Sequence, residues 1–314
     1  MFADTLGWRA IFWFLAIYSG VFLAILILFL PETLRSLVGN GSIPAQGLSQ
    51  NPISYLRAQL QKGSNFCPAV RSTKTPEKQL NFLGPIRLIF SLEVSCAIFY
   101  LSIYYTGWQM TMSAMSTLFS RIYGLTSLSN GLTFIGNGAG CIIGTLSTGK
   151  VLDHSYRRLK KMYSGPPEDF PLEKARFQTL WIWSGLQCAS VLVFGWMVDK
   201  GVHVSVPIIA TFVLGWSTTS LQSIITTFMV DVFPDRSASA VASLNLARCL
   251  IGAGGTAAVL PLIDAIGAYT AITAVQVLAS GLIAVQMRHG ARWRRKREVK
   301  ELESEEYMSS NLEY

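Results

Sequence analysis

A single arginine, Arg248, interrupts the otherwise uncharged run Ser237–Ile263. If that run is helical, Arg248 lies about 16 Å of rise from its start, near the middle of a bilayer-sized element. A guanidinium at that depth costs about 3 kcal/mol on the insertion scale and more by other estimates. It is kept to contact an anionic ligand or a coupling group, or else to clamp a carboxylate or helix carbonyls, and the sequence leaves both open. Asn245 stands three residues earlier on the same helical face. A second polar set follows helical spacing. Tyr105, Gln109, Met112 and Ser116 fall at i, i+4, i+7 and i+11, with Tyr104 and Trp108 beside them. Asn137 lies in the next apolar run, and Thr219, Gln222 and Thr226 line a later one.

Polar side chains at membrane depth turn toward the protein interior or a water-filled cavity. Tyr104, Tyr105, Trp108, Gln109, Asn137, Gln222, Thr226, Asn245 and Arg248 therefore outline a candidate pathway for a small amphipathic molecule. The competing reading is helix-to-helix hydrogen bonding worth about 0.6 kcal/mol per pair. A third group, Gly149, Asp153, Arg157 and Arg158, follows the third apolar run in what reads as a turn. A carboxylate four residues before an arginine pair can form a breakable ion pair, holding a gate shut in one state and releasing it in another. Anchoring by positive charge is the alternative. Asp231 closes a later run on the same side and is grouped with this candidate gate.

These residues need long apolar elements to position them. Of 314 residues, 51% are hydrophobic and only 14% are charged, against about 25% charged in soluble domains. Seven runs approach the roughly 20 apolar residues that span a bilayer: Ala10–Leu30, Val94–Leu118, Gly124–Thr148, Phe177–Val198, Val204–Val230, Ser237–Ile263 and Ala265–Met287. The fold class expected is an all-α membrane protein with about seven transmembrane helices. The first run is too long for a signal-peptide core and ends at Pro31-Glu32-Thr33 without a small-residue cleavage site. Gly252, Ala253, Gly254, Gly255 and Ala257 in the sixth run favour close helix packing.

Charge placement sets the expected orientation. Apart from Arg9, Arg121, Lys200 and Arg248, every Lys and Arg falls after the first, third, fifth or seventh run. Positive charges collect in cytoplasmic loops, which predicts an outside N-terminus and a cytoplasmic C-terminus in a multi-pass protein. This distribution, rather than nucleic-acid binding, accounts for the net charge of +8. The domain plan expected is a single span over 1–30, a cytoplasmic central loop over 31–87, a six-helix half over 88–290 and a cytoplasmic tail over 291–314. The central loop is polar, with a short surface helix expected near Ile53–Leu60. The tail beyond Lys300 carries Glu301, Glu303, Glu305 and Glu306 and reads as disordered. Five cysteines without a C-x-x-C pair and three scattered histidines point to no disulfide framework, metal or cofactor. No intramembrane His/Asp, Ser/Lys or paired-carboxylate arrangement suggests an enzyme.

Three segments carry a family resemblance. Gly149-x-x-x-Asp153-x-x-x-Arg157-Arg158 is similar to the loop motif of the major facilitator superfamily, departing from it at His154 and Tyr156. Val230-Asp231-Val232-Phe233-Pro234 through Ser237-Ala238-Ser239, followed by Asn245-x-x-Arg248, resembles the span-ten to span-eleven region of twelve-span fungal drug:proton antiporters of the quinidine-resistance and polyamine-exporter kind. Gly7-Trp8-Arg9 through Leu34-Arg35 resembles their sixth span and its exit. The resemblance implies spans six to twelve of a transporter that exports small amphipathic molecules or drugs in exchange for protons, in the plasma membrane. Its partners would be membrane lipid, a small-molecule substrate and protons. It also implies a missing N-terminal half of five spans, which would hold most proton-coupling groups, since Glu93, Asp231 and Asp264 sit only at span ends. An organic-anion exporter and a non-transporting fragment that assembles with a full-length relative are the alternatives. A seven-span receptor fits poorly: the first inner loop is long, and D-R-Y and N-P-x-x-Y do not occur.

Overall fold

The computed structural model describes residues 7–30, 84–163, 172–266 and 268–312. Helix α1, Trp8–Phe29, belongs to the first of two units. It is apolar on every side beyond Arg9, as a helix surrounded by an apolar medium must be.

The second unit, from Asn81 onward, holds α2 (Gly84–Ile89), α3 (Leu92–Tyr123), α4 (Ser127–Met162), α5 (Leu172–Phe177), α6 (Leu180–Asp199), α7 (Ser205–Val232), α8 (Ser237–Ile266) and α9 (Ala268–Leu312). With α1, seven long helices match the seven expected runs in order, and no strand occurs among the described residues. Five of them are long and apolar enough to cross a membrane. Helices α3 and α4 have the length, at 32 and 36 residues, but are diluted by the polar and small residues that the sequence singled out. The Ile53–Leu60 expectation lies outside the described residues.

Local chemistry sets the boundaries. Gly124, at φ 58°, closes α3 in the left-handed conformation that glycine adopts without steric cost. Two residues later the Thr126 side chain accepts from the Ser129 backbone N–H and starts α4. Pro234 opens a short 3₁₀ turn, Pro234–Arg236, between α7 and α8. Two expectations are corrected. Gly149–Arg158 is not a turn but the continuation of α4, which runs unbroken to Met162. The segment after Lys300 is helical to Leu312.

Helices α8 and α9 both pack along α3, while α4 and α6 pack on α7. The α4–α7 contact is close because a Cβ at Gly140 or Gly144 would run into the backbone of Phe212 or Trp216. One apolar cluster, including Ile98, Leu101, Phe177, Ile224 and Phe228, fills the end nearer the basic residues. A second, including Met115, Phe119, Phe194 and Leu214, fills the other. Outward-facing Ile182, Trp196, Ile209 and Leu278 are exposed, as bilayer-facing residues should be.

Candidate functional site

Arg248 of α8 lays its guanidinium over the Tyr105 ring of α3, 4.8 Å from the centroid. Gly252, one turn further along α8, leaves room for that ring. Tyr105 in turn contacts Trp108, with ring centroids 5.5 Å apart. The Trp108 indole N–H donates to Asn137 Oδ1 of α4 at 3.1 Å. One chain of contacts thus crosses three helices. Arg248 Nε is buried and has no hydrogen-bond partner, and no carboxylate pairs with Arg248 among the described residues. A cation–π contact contributes about 0.5–2 kcal/mol, less than the cost of a guanidinium at this depth. The charge is only partly compensated by its own chain.

Four other polar residues of the expected pathway also lack partners. Gln109, Gln222 and Thr226 are half-buried and Asn245 is exposed. None of the four side chains makes a hydrogen bond among the described residues, whereas nearby Thr219 and Ser223 bond back to carbonyls of their own helix.

Tyr104 is placed differently from its neighbour, because adjacent helical residues point about 100° apart. It is fully buried. Its hydroxyl lies 2.8 Å from Ser280 Oγ of α9 and 3.5 Å from Cys188 Sγ of α6. Gln187 Nε2 donates to the Tyr104 carbonyl at 2.8 Å. The Tyr100 ring lies tilted against Tyr104, with centroids 4.6 Å apart, and its hydroxyl bonds to Ser184. This second polar cluster sits between α3, α6 and α9, away from Arg248.

At the basic end, Gly149, Asp153, Arg157 and Arg158 are exposed on α4. Neither Asp153 nor the arginine pair forms an ion pair among the described residues. Asp231, at the end of α7, accepts instead from Arg176 of α5 at 2.8 Å, and Arg176 also covers the Tyr156 ring at 4.7 Å. Beside it the buried Glu173 meets Arg294 of α9 at 3.3 Å. Arg297 lies over Phe233 at 4.4 Å and donates to the Val232 carbonyl. The six-residue α5 therefore straps α4, α7 and α9 together.

The sequence profile of the Major Facilitator Superfamily matches residues 1–256. The chain belongs to that superfamily. Among curated proteins it is similar to Citrate exporter 1 of Aspergillus niger, 35% identical over 95% of this chain and 59% of that protein. It is also similar to the MFS-type transporter phiL of Fungal sp., 34% identical over 88% of this chain and 71% of that protein. The MFS antiporter QDR2 of Candida albicans is 31% identical over 91% of this chain and 58% of its own length. The chain thus spans about six-tenths of the citrate exporter. The superfamily match takes in α1 through most of α8, including Arg248, and stops short of α9.

Within this major facilitator chain, sequence reading missed Glu173, Arg176 and Arg294 as interacting groups and Gln187 and Gln276 as intramembrane polar residues. The glutamines carried a signal: an amide inside the runs Phe177–Val198 and Ala265–Met287 is as unusual as Gln109 or Gln222. The α5 charges carried none beyond their place in a basic loop. No group of three His, Cys, Asp or Glu that could hold a metal ion occurs among the described residues.

Proposed function

We propose that the chain forms the substrate-facing C-terminal half of a proton-coupled membrane exporter of small amphipathic molecules, and that Arg248 is its anion contact. The observation that carries this reading is the partly compensated guanidinium over Tyr105, with Arg248 Nε buried and unpartnered; Gln109, Gln222, Thr226 and Asn245 are the further polar side chains assigned to this pathway. Aromatic rings supply apolar contact area, amides supply hydrogen bonds, and the charge selects sign. Trp108 and Asn137 hold the Tyr105 side of this site, and Tyr104 supports it from behind.

A second reading, organic-anion export, is favoured by the absence of a carboxylate beside Arg248 among the described residues and is supported by the printed name of the citrate exporter. The name of the antiporter QDR2 supports exchange for protons. The basic end is the cytoplasmic end in this reading, as the charge distribution argues, and the protein works in the plasma membrane beside lipid. Gly149, Asp153, Arg157, Arg158 and Asp231 form the gate there, with the Arg176–Asp231 pair as one of its closures. The plan of one span, a central loop, a six-helix half and a tail follows, together with an N-terminal half that completes the pathway.

The test is efflux from yeast loaded with citrate or with a cationic dye, comparing the wild type with Arg248→Gln. Loss of citrate efflux with dye efflux retained supports the organic-anion reading. Loss of both supports a contact common to all substrates. Undiminished efflux of both in the variant refutes the role of Arg248.

A further inference from the structure

The basic run after the membrane part of α9 divides into two faces. Arg294 and Arg297 turn inward to Glu173 and Phe233. Arg288 and Arg292 are exposed and make neither an ion pair nor a hydrogen bond among the described residues. The helix packing gives no account of this outward pair.

Their register supplies one. Leu278, Gly281, Val285, Arg288 and Arg292 follow one another at steps of three, four, three and four, which keeps them on a single face of α9. Leu278 is 77% exposed and Val285 43%. A Cβ at Gly281 would meet nothing within 4 Å, so the stripe has an open notch between its two apolar side chains. The stripe changes from apolar to cationic within one turn. From Leu278 to Arg288 the rise is about 15 Å, half of a hydrocarbon core of about 30 Å, which is the depth of one leaflet. Beside the arginines, His289 and Trp293 stack at 5.9 Å, and aromatic residues of this kind favour the headgroup level.

We propose that this stripe of α9 binds an anionic phospholipid, with Arg288 and Arg292 on the headgroup and one acyl chain along Leu278, Gly281 and Val285. Two guanidinium groups four residues apart lie within reach of one headgroup, and their fork of donors matches phosphate oxygens. A zwitterionic lipid presents the same phosphate with its charge cancelled, so the site discriminates by net headgroup charge. The exposed Arg157, Arg158, Lys160 and Lys161 of α4 offer a comparable charge, but the face leading to them carries Asp153 and His154. The proposal rests on the bilayer reading of α9 and is independent of what the protein transports.

Native mass spectrometry of the purified full chain tests it with phosphatidylglycerol and phosphatidylcholine as probes. The wild type should retain phosphatidylglycerol preferentially, and Arg288→Gln/Arg292→Gln should lower that retention about fivefold per arginine removed. Gly281→Leu, which fills the notch, should lower it with both arginines present. Equal retention of the two lipids by the wild type overturns the proposal, whether or not the double variant reaches the membrane. So does an unchanged preference in a folded Arg288→Gln/Arg292→Gln protein. Full competition by free glycerol phosphate would make this a phosphate site and overturn the lipid assignment, and an unchanged preference in Gly281→Leu would overturn the acyl-chain placement.

Discussion

Two polar clusters lie within the helices of this chain, both built on α3 and separated by one residue of its register. Around Tyr104, its hydroxyl bonds to the Ser280 hydroxyl and the Cys188 thiol, and the Gln187 amide donates to its carbonyl, across α3, α6 and α9. Around Tyr105, the aromatic rings and Asn137 are linked, yet the Arg248 guanidinium has a buried nitrogen with no partner. Composition alone does not distinguish them, since both combine tyrosines with amides and hydroxyls. Charge does: the Tyr104 cluster leaves only neutral amide atoms, Gln187 Oε1 and Gln276 Nε2, without partners, whereas the Tyr105 cluster leaves a guanidinium nitrogen, Arg248 Nε. A neutral cluster bonded across three helices holds them together, whereas a charge left open in an apolar run calls for water or a ligand.

The sharpest break between the clusters is Arg248→Ala, which should abolish transport while leaving membrane insertion intact. Loss of a charged contact corresponds to roughly a tenfold to hundredfold change, read as flux normalised to the amount in the membrane. Gly107→Ala acts on the other side of α3. Its Cβ would run into Gln276, so stability should fall by about 1–3 kcal/mol, seen as a lower Tm in detergent. Tyr104→Phe removes the hydroxyl that joins α3 to α9. It should cost about 1 kcal/mol of stability with transport per folded molecule unchanged; a transport defect without a Tm change would place Tyr104 in the pathway after all. Gln222→Ala should do the reverse, shifting stability by less than about 0.5 kcal/mol while raising the KM for substrate a few-fold. The smallest change expected is from Asp153→Asn, which should slow cycling modestly at saturating substrate with binding unaltered. Weaker binding at an unchanged maximal rate would count against its role in the gate.

The helices were legible because bilayer thickness imposes a length and an apolar composition on each span, so the start of α8 at Ser237 could be read directly, whereas α3 runs five residues past Leu118, where its apolar run ends. Arg248 and its aromatic neighbours were legible for the same reason, since polarity stands out against an apolar run. Which side of α3 each tyrosine faces was not. The face of a helix becomes inward or outward only once its neighbours are known, and Tyr104 and Tyr105 look alike until α8 and α9 are in place. The strap formed by α5 was hidden too. Glu173 and Arg176 sit in a six-residue helix, and their partners Arg294 and Asp231 are far away in sequence. The continuation of α4 through Gly149–Arg158 was missed because charge and a leading glycine mimic a turn, although Lys150, Leu152, Arg157 and Arg158 favour a helix and the segment contains no proline.

The unbroken course of α9 has a mechanical consequence. From Arg288 to Leu312 it contains no proline and rises about 36 Å. A rod of that length is a pointer fixed to the membrane span: a tilt of about 10° at its base sweeps the tip through roughly 6 Å. A fluorophore at Leu312 paired with one on α4 would magnify small rotations of the bundle into a measurable change in energy transfer, with no probe placed inside the bilayer.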